Sequence, residues 1–140
     1  GLKDTSGIGS QSLTSFGSFA EYIAMETDVA VANAEGNAMK YLINASARGA
    51  LKSTEKTSTS TANFVFENNQ INGYDAIVSN QLANNDAIFG DFSQFIVGMW
   101  SGLDLTVDPF AGATAGTVRI IALQDIDYAV RQAGAFCFAT

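Results

Sequence analysis

Across residues 86–138 apolar and polar positions alternate in short runs separated by turn dipeptides, the signature of consecutive strands. Leu103, Leu105 and Val107 alternate with Asp104, Thr106 and Asp108. That two-residue period predicts a strand with one face buried and the other in water. A second alternation sets Ile126, Tyr128 and Val130 against Asp127, Ala129 and Arg131, and Phe136 and Phe138 share a side in the last run. Between FIVGMW and LDLTV stands Ser101-Gly102, a pair suited to a tight connection because Gly accepts the positive φ of hairpin turns. Antiparallel pairing is the expected outcome.

Upstream the period changes. Ser18 followed by Glu21 has the form of a capping box, and Phe19, Tyr22, Ile23, Val29 and Ala30 recur at helical spacing through about Asn33. This predicts a helix with an apolar stripe toward the core and with Glu21 and Asp28 toward solvent. After Glu35-Gly36-Asn37, AMKYLIN reads as a short strand, and Asn44 is placed to cap a short helix through ASARGALK. Residues 53–62 are too polar to bury anything and are expected to be a loop. NFVFENNQ and INGYDAIV are two strand candidates, with Asn72-Gly73 the strongest turn dipeptide, and Asn84-Asn85-Asp86 marks another turn. Residues 109–116 form a Gly/Ala-rich connection between the last two strand pairs. The expected class is α+β, an antiparallel or mixed sheet flanked by helices.

A length of 140 residues suits one domain over 1–140, without a visible repeat or interdomain linker. The Gly- and Ser-rich residues 1–13 would be poorly ordered unless something docks on them. The chain begins Gly-Leu-Lys-Asp, without an initiator methionine, which reads as a fragment, a processed product or an expression product. It shows neither a signal-like start nor an apolar run near the ~20 residues of a membrane helix, so a soluble protein is expected.

Composition narrows the chemistry further. Histidine is absent, which removes the commonest general base and transition-metal ligand. The single cysteine, Cys137, lies between Phe136 and Phe138 and reads as a buried thiol; it cannot build a zinc cluster, and with no disulfide framework within one chain a reducing compartment is compatible. No serine sits in a GxSxG elbow, and no glycine run leads into a phosphate-loop lysine; Gly7-Ile8-Gly9 is too little. Asp125 and Asp127 share a strand face and are the remaining candidates for a metal or an acid/base pair, against the plainer reading that they face water or pair with Arg119 or Arg131. Asp104 and Asp108 also share a face, but ~13 Å apart along a strand they are too distant for one ion. Phe89, Phe92, Phe95 and Trp100 are read as core rather than as a ligand pocket. Catalytic, cofactor-binding and metal residues are therefore all expected to be absent.

The net charge of −7 is uneven, with residues 40–56 locally basic through Lys40, Arg48, Lys52 and Lys56. Arg48 and Lys52, four apart, form a basic helical face, read either as solvated surface or as an anionic or intersubunit contact. The overall acidity opposes tracking of phosphate backbones, so sequence-specific nucleic-acid binding is not expected.

The blocks FGDFSQFIVGMW, GLDLTVDP and VRIIALQDIDYAVRxxxAF, in this order and spacing, resemble the closing segment of tailed-phage major capsid proteins of the HK97 fold. The likeness is specific from about Phe64 to Phe138 and looser from Ser18 to Lys56. It implies the carboxy-terminal part of such a subunit, an axial domain plus strands returning to the periphery, with the 53–62 loop near the capsomer axis. The amino-terminal arm, hairpin loop and spine helix of the family are not in these residues. The resemblance also implies no enzymatic activity or cofactor and a structural role in an icosahedral shell around a DNA genome. Its expected partners are copies of itself in hexamers and pentamers, with scaffold or portal proteins besides, and no membrane. The expected location is the virion capsid, assembled in the bacterial host cytoplasm. Two departures stand out. Ala133 and Gly134 occupy a stretch where relatives commonly carry a proline, and residues 109–117 contain no asparagine to accept the Lys-Asn crosslink of some relatives, so no crosslinking is expected. Other readings are an encapsulin-like cargo shell, a small-molecule binding module and an enzyme using only carboxylates.

Overall fold

The structure, a computed structural model, describes residues 1–57 and 63–140. They fall into two compact units, residues 1–94 with 130–140, and residues 95–129.

The larger unit is built on a seven-stranded sheet. Its strands are β1 (Gly9–Gln11), β2 (Met39–Ile43), β3 (Phe66–Glu67), β4 (Gln70–Ile71), β5 (Tyr74–Val78), β6 (Ala87–Asp91) and β11 (Phe136–Ala139), in the order β1-β11-β6-β2-β5-β4-β3. The sheet is mixed, with β1 parallel to β11 and β2 parallel to β5, while β6 runs antiparallel to both β2 and β11. β6 is buried at all five positions. The amino-terminal residues find the docking partner their order requires, since Gly9–Gln11 pairs with the carboxy-terminal strand.

Helix α1 (Phe19–Val31) starts where the sequence places it. The Glu21 carboxylate accepts the N–H of the N-cap Ser18 at 2.6 Å, the reciprocal half of a capping box, and also the N–H of Thr14 in the preceding loop at 3.1 Å. α1 lies against β1, β11 and β6 through Tyr22, Met25 and Val29. This corrects the expected stripe, because Ile23 and Ala30 are exposed and Met25 takes the inward position. Positions 22, 25 and 29 are the spacing of a narrow face, and 23 and 30 lie one step around the helix. Asn44 caps α2 (Ala45–Leu51) as anticipated, its side-chain oxygen accepting the Ser46 N–H at 2.8 Å. Behind the sheet Tyr41 packs on Phe89 at 4.4 Å between ring centroids and edge-on to Tyr22 at 5.5 Å, and Phe89 meets Tyr74 at 5.2 Å.

The two strand candidates around Asn72 become three strands. Asn68 and Asn69, both at positive φ, turn β3 into β4, and Asn72-Gly73, also at positive φ, turns β4 into β5. Part of the expected 53–62 loop, residues 58–62, lies outside the described residues; in the described part, Glu55 forms an isolated bridge with Phe64.

The smaller unit holds β7 (Phe95–Met99), β8 (Asp104–Asp108), β9 (Arg119–Leu123) and most of β10 (Ile126–Val130). β7 pairs with β10, and β8 pairs antiparallel with β9. The Ser101-Gly102 connection therefore does not close a hairpin between its flanking strands; the β8–β9 hairpin is inserted between β7 and its partner. Residues 109–116 form the loop of that hairpin rather than a link between strand pairs, with a 3₁₀ turn at Ala113–Ala115. The alternation in β8 holds, yet the side expected to be buried is open: Leu105 is 57 % exposed and Ile120, across the hairpin, 67 %.

Among the described residues no helix is long and apolar enough to cross a membrane.

Candidate functional site

The carboxylates singled out by the sequence do not converge. Asp104 and Asp108 share a face of β8 with Arg119, which is the register partner of Asp108. Asp127 accepts the N–H of its neighbour Tyr128, and Asp125 precedes β10, its carbonyl accepting the Trp100 N–H at 3.1 Å. Neither Arg119 nor Arg131 forms an ion pair with them; among the described residues the ion pairs are the amino terminus with Asp4 and Lys40 with Asp75. No group of three or more Cys, Asp or Glu side chains with metal-holding geometry occurs among the described residues.

Cys137 is fully buried on β11, its Sγ 3.5 Å from Asp28 Oδ2. Burial, then the neighbouring Asp28 charge, pushes the thiol up to about 12, so it is protonated and unreactive at neutral pH. Gly7 and Gly9 line an open hollow of about 380 Å³ with Asp28, Val31, Ala32 and Gly134. A carboxylate on its wall makes it a poor seat for phosphate.

The four aromatics separate. Phe89 is core, Phe92 packs edge-on to Phe136 at 5.6 Å, and Phe95 stacks on Tyr128 at 5.5 Å. Trp100 is not core; it is 73 % exposed and lines a shallow hollow of about 210 Å³ in the smaller unit with Ile96, Gly98, Asp127, Tyr128 and Ala129.

Two buried polar groups that the sequence reading did not single out hold the larger unit in shape. Asp91, 2 % exposed, ends β6 and accepts the Ser93 N–H at 2.9 Å. Burial alone would raise its pKa, but hydrogen bonds from Ser93, Gln94 and the Ala38 N–H outweigh it and hold the carboxyl below its ordinary value. Gly36 closes over this carboxylate so tightly that a Cβ there would lie 1.8 Å from Oδ2. The second group is Tyr41, whose hydroxyl lies 3.0 Å from the Tyr22 carbonyl and 2.5 Å from Glu26 Oε1, while Asn72 Nδ2 donates to Glu26 Oε2 at 2.8 Å. Helix α1 is thereby tied to strand β2 and to the β4–β5 turn. The signal for Asp91 was available as one acid in the apolar run Ala87–Phe92.

What remains accessible is surface suited to contact. β1 and β3 are the edges of the seven-stranded sheet. Arg48 and Lys52 are exposed on α2, and neither they nor Lys56 has a carboxylate within ion-pair reach among the described residues; Lys52 and Lys56 instead lie over the rings of Phe66 and Phe19 at 5.8 and 5.5 Å. The smaller unit carries most of the exposed large apolar side chains. Open sheet edges, exposed cations without a carboxylate partner and uncovered apolar strands are features of a surface suited to association.

Comparison with known proteins agrees with this. Residues 8–140 match the phage capsid family. The chain is 36 % identical over 119 residues to the major capsid protein of Halomonas phage phiHAP-1, covering 85 % of this chain and 20 % of that protein. Among solved structures it superposes on a virus-like particle from Pyrococcus furiosus with a TM-score of 0.70 at 18 % identity, covering 99 % of this chain and 58 % of the other. Mycobacterium phage Ogopogo gives a TM-score of 0.68 at 18 % identity, covering 99 % and 54 %. The chain thus spans about a fifth of its curated relative and little more than half of these solved chains.

Proposed function

We propose that this chain, which belongs to the phage capsid family, is a structural portion of a subunit that self-assembles into an icosahedral phage or prophage shell around DNA. The observation that carries the reading is the match to that family over nearly the whole chain. The fold, an α+β arrangement of the HK97-like kind, and the accessible sheet edges, basic helix face and apolar strands support it. Function here is mechanical: many weak interfaces repeated in closed symmetry sum to a stable shell. The 140 residues act as one building block, the axial domain with strands that return to the periphery. Its partners are further copies in hexamers and pentamers, with scaffold or portal proteins joining during assembly in the host cytoplasm. Arg48, Lys52 and Lys56 set the register against acidic surface of a neighbouring copy. No catalytic step belongs to this role, and no isopeptide crosslink forms through the 109–117 connection, which has no asparagine.

The test is light scattering coupled to size-exclusion chromatography across concentration, on this chain and on the longest form its gene encodes. Shells from the long form, with this chain monomeric or weakly oligomeric, are expected. Shell-sized particles from this chain alone would contradict the division of labour proposed here. If neither form assembles, even with scaffold supplied, the shell role fails.

A further inference from the structure

Of the asparagines in the chain only Asn72 is followed by glycine. The pair forms the two-residue turn between β4 and β5, with Ile71 opposite Tyr74 across it and φ of 50° at Asn72 and 87° at Gly73. Both residues are exposed. Nothing lies within 4 Å of the point where a Cβ on Gly73 would stand, and the Gly73 N–H donates to no backbone carbonyl among the described residues. Asn72 Nδ2 donates to Glu26 Oε2 at 2.8 Å, while Glu26 Oε1 accepts the Tyr41 hydroxyl. A neutral amide on an exposed turn is thus the link to a carboxylate of helix α1.

These are the conditions for intramolecular deamidation: a side-chain amide next to a backbone nitrogen that is open to water, free of a hydrogen bond and unhindered by a following Cβ. The Gly73 nitrogen, having given its proton to hydroxide, bonds to Asn72 Cγ. The Cγ–Nδ2 bond breaks, and ammonia leaves with a proton taken from water, closing a cyclic imide. Water then opens the ring. Cleavage at the Cγ carbonyl leaves aspartate; cleavage at the main-chain carbonyl leaves isoaspartate, whose backbone runs through the side-chain carbon. One water enters, one ammonia leaves, and nothing is oxidised or reduced. Glu26 restrains the reaction, because its charge-assisted hydrogen bond holds the amide, which must leave the carboxylate before Cγ can turn over the Gly73 nitrogen.

We propose that Asn72 is a self-modification site, losing its amide nitrogen to water, and that the change releases the β4–β5 turn from α1. Either product bears a carboxylate in place of the amide donor that meets Glu26, so an attraction becomes a repulsion between like charges. Isoaspartate also adds a main-chain carbon, which the Ile71–Tyr74 register across a two-residue turn does not accommodate. β4 pairs on its other side with β3, so the hairpin that loosens is the one that carries an open edge of the sheet. The chemistry is independent of the shell role.

The purified chain is held at neutral and at mildly alkaline pH, sampled over days, and followed by peptide-mapping mass spectrometry with an isoaspartate-specific methyltransferase assay. Asn72 is expected to convert about tenfold faster than Asn84 or Asn85, whose next residues carry side chains, and faster at the higher pH. Glu26→Ala, checked for folding by circular dichroism, should raise the rate by about threefold, the scale of an exposed hydrogen bond. Without any ageing, Asn72→Asp should lower the urea midpoint. Adding Glu26→Gln should restore most of that loss, because the new amide donates to the carboxylate at 72 while its oxygen keeps the Tyr41 contact. The proposal is overturned by an Asn72 that persists while Asn84 or Asn85 converts, by an unchanged rate in folded Glu26→Ala, or by an Asn72→Asp midpoint equal to that of the wild type. Should Glu26→Ala not fold, the wild type in urea above its midpoint replaces it, and a rate there no higher than in the native protein refutes the restraint.

Discussion

Gly36→Ala is the substitution whose effect the structure fixes most sharply. The new Cβ would lie 1.8 Å from Asp91 Oδ2, 2.6 Å from its Cγ and 3.3 Å from its Cβ, so the carboxylate has to leave its position. Insertion of one carbon into a filled site costs about 1–3 kcal/mol. Displacing Asp91 also weakens hydrogen bonds to a charged acceptor, worth about 1.5–3 kcal/mol, including the one from the Ser93 N–H. The two costs overlap, because the carboxylate relieves the clash by giving up its bonds, and a net loss of about 3 kcal/mol is expected. Against a total stability of about 5–15 kcal/mol that is a large fraction.

The clash and the bonds meet in one side chain, so Gly36→Ala and a substitution of Asp91 must be coupled. Gly36 is not among the residues at positive φ, and an alanine there carries no backbone penalty. Once Asp91 is replaced by alanine the obstructing carboxylate is gone and only the 3.3 Å approach to the Cβ at 91 remains, so the cost of Gly36→Ala should fall to less than half of its value beside Asp91. Urea titrations of the wild type, both single variants and the double variant, followed by circular dichroism, give the coupling energy. A single-variant loss below about 0.5 kcal/mol, or the same loss with and without Asp91, would refute the reasoning.

Other outcomes follow from the same contacts. Tyr41→Phe should cost about 1.5–3 kcal/mol in urea titration, since it removes the hydroxyl that meets the Glu26 carboxylate, and adding Asn72→Ala should show coupling through Glu26. Phe89→Ala should cost about 3–5 kcal/mol by the same assay, because the ring is fully enclosed by Tyr41 and Tyr74. Acid should destabilise the larger unit. Asp91 and Glu21 have folded pKa values below their unfolded ones, so the stability they contribute is present above about pH 4–4.5 and lost as pH falls below it, and Asp91→Asn should flatten that limb of the pH–stability curve. Cys137, raised to about 12, acts in the opposite sense: its contribution is whole below the unfolded thiol pKa near 8.5 and declines as pH rises above it, which Cys137→Ala should abolish.

The reach of sequence reasoning divides according to the range of the interaction. Ser18 with Glu21, Asn44 before α2 and Asn72-Gly73 were legible because caps and turns are settled within a few residues. Which of Ile23, Met25 and Ala30 faces inward was not, because a helix spanning 19–31 admits neighbouring stripes, and the sheet beneath it chooses among them. Strand existence was legible in β7 and β8, but their partners were not: local turn chemistry favours pairing neighbours, whereas β7 waits for β10 across an inserted hairpin. Asp91 escaped because a single carboxylate reads as surface unless the donors that surround it, from Ala38, Ser93 and Gln94, are seen together.

Alternation specifies which side chains share a face of a strand, and says nothing of whether that face is covered. In β6 the neighbours β2 and β11 and the helix α1 supply the cover, and all five positions are buried. In β8 the same period leaves Leu105 and Val107 in water. β6 lies between two strands with a helix against it, whereas β8 pairs with β9 in a two-stranded sheet. Among the described residues the open sheet edges, the exposed cations of α2 and the uncovered hairpin are surfaces left unsatisfied within this chain, and such surfaces are the ones that association covers.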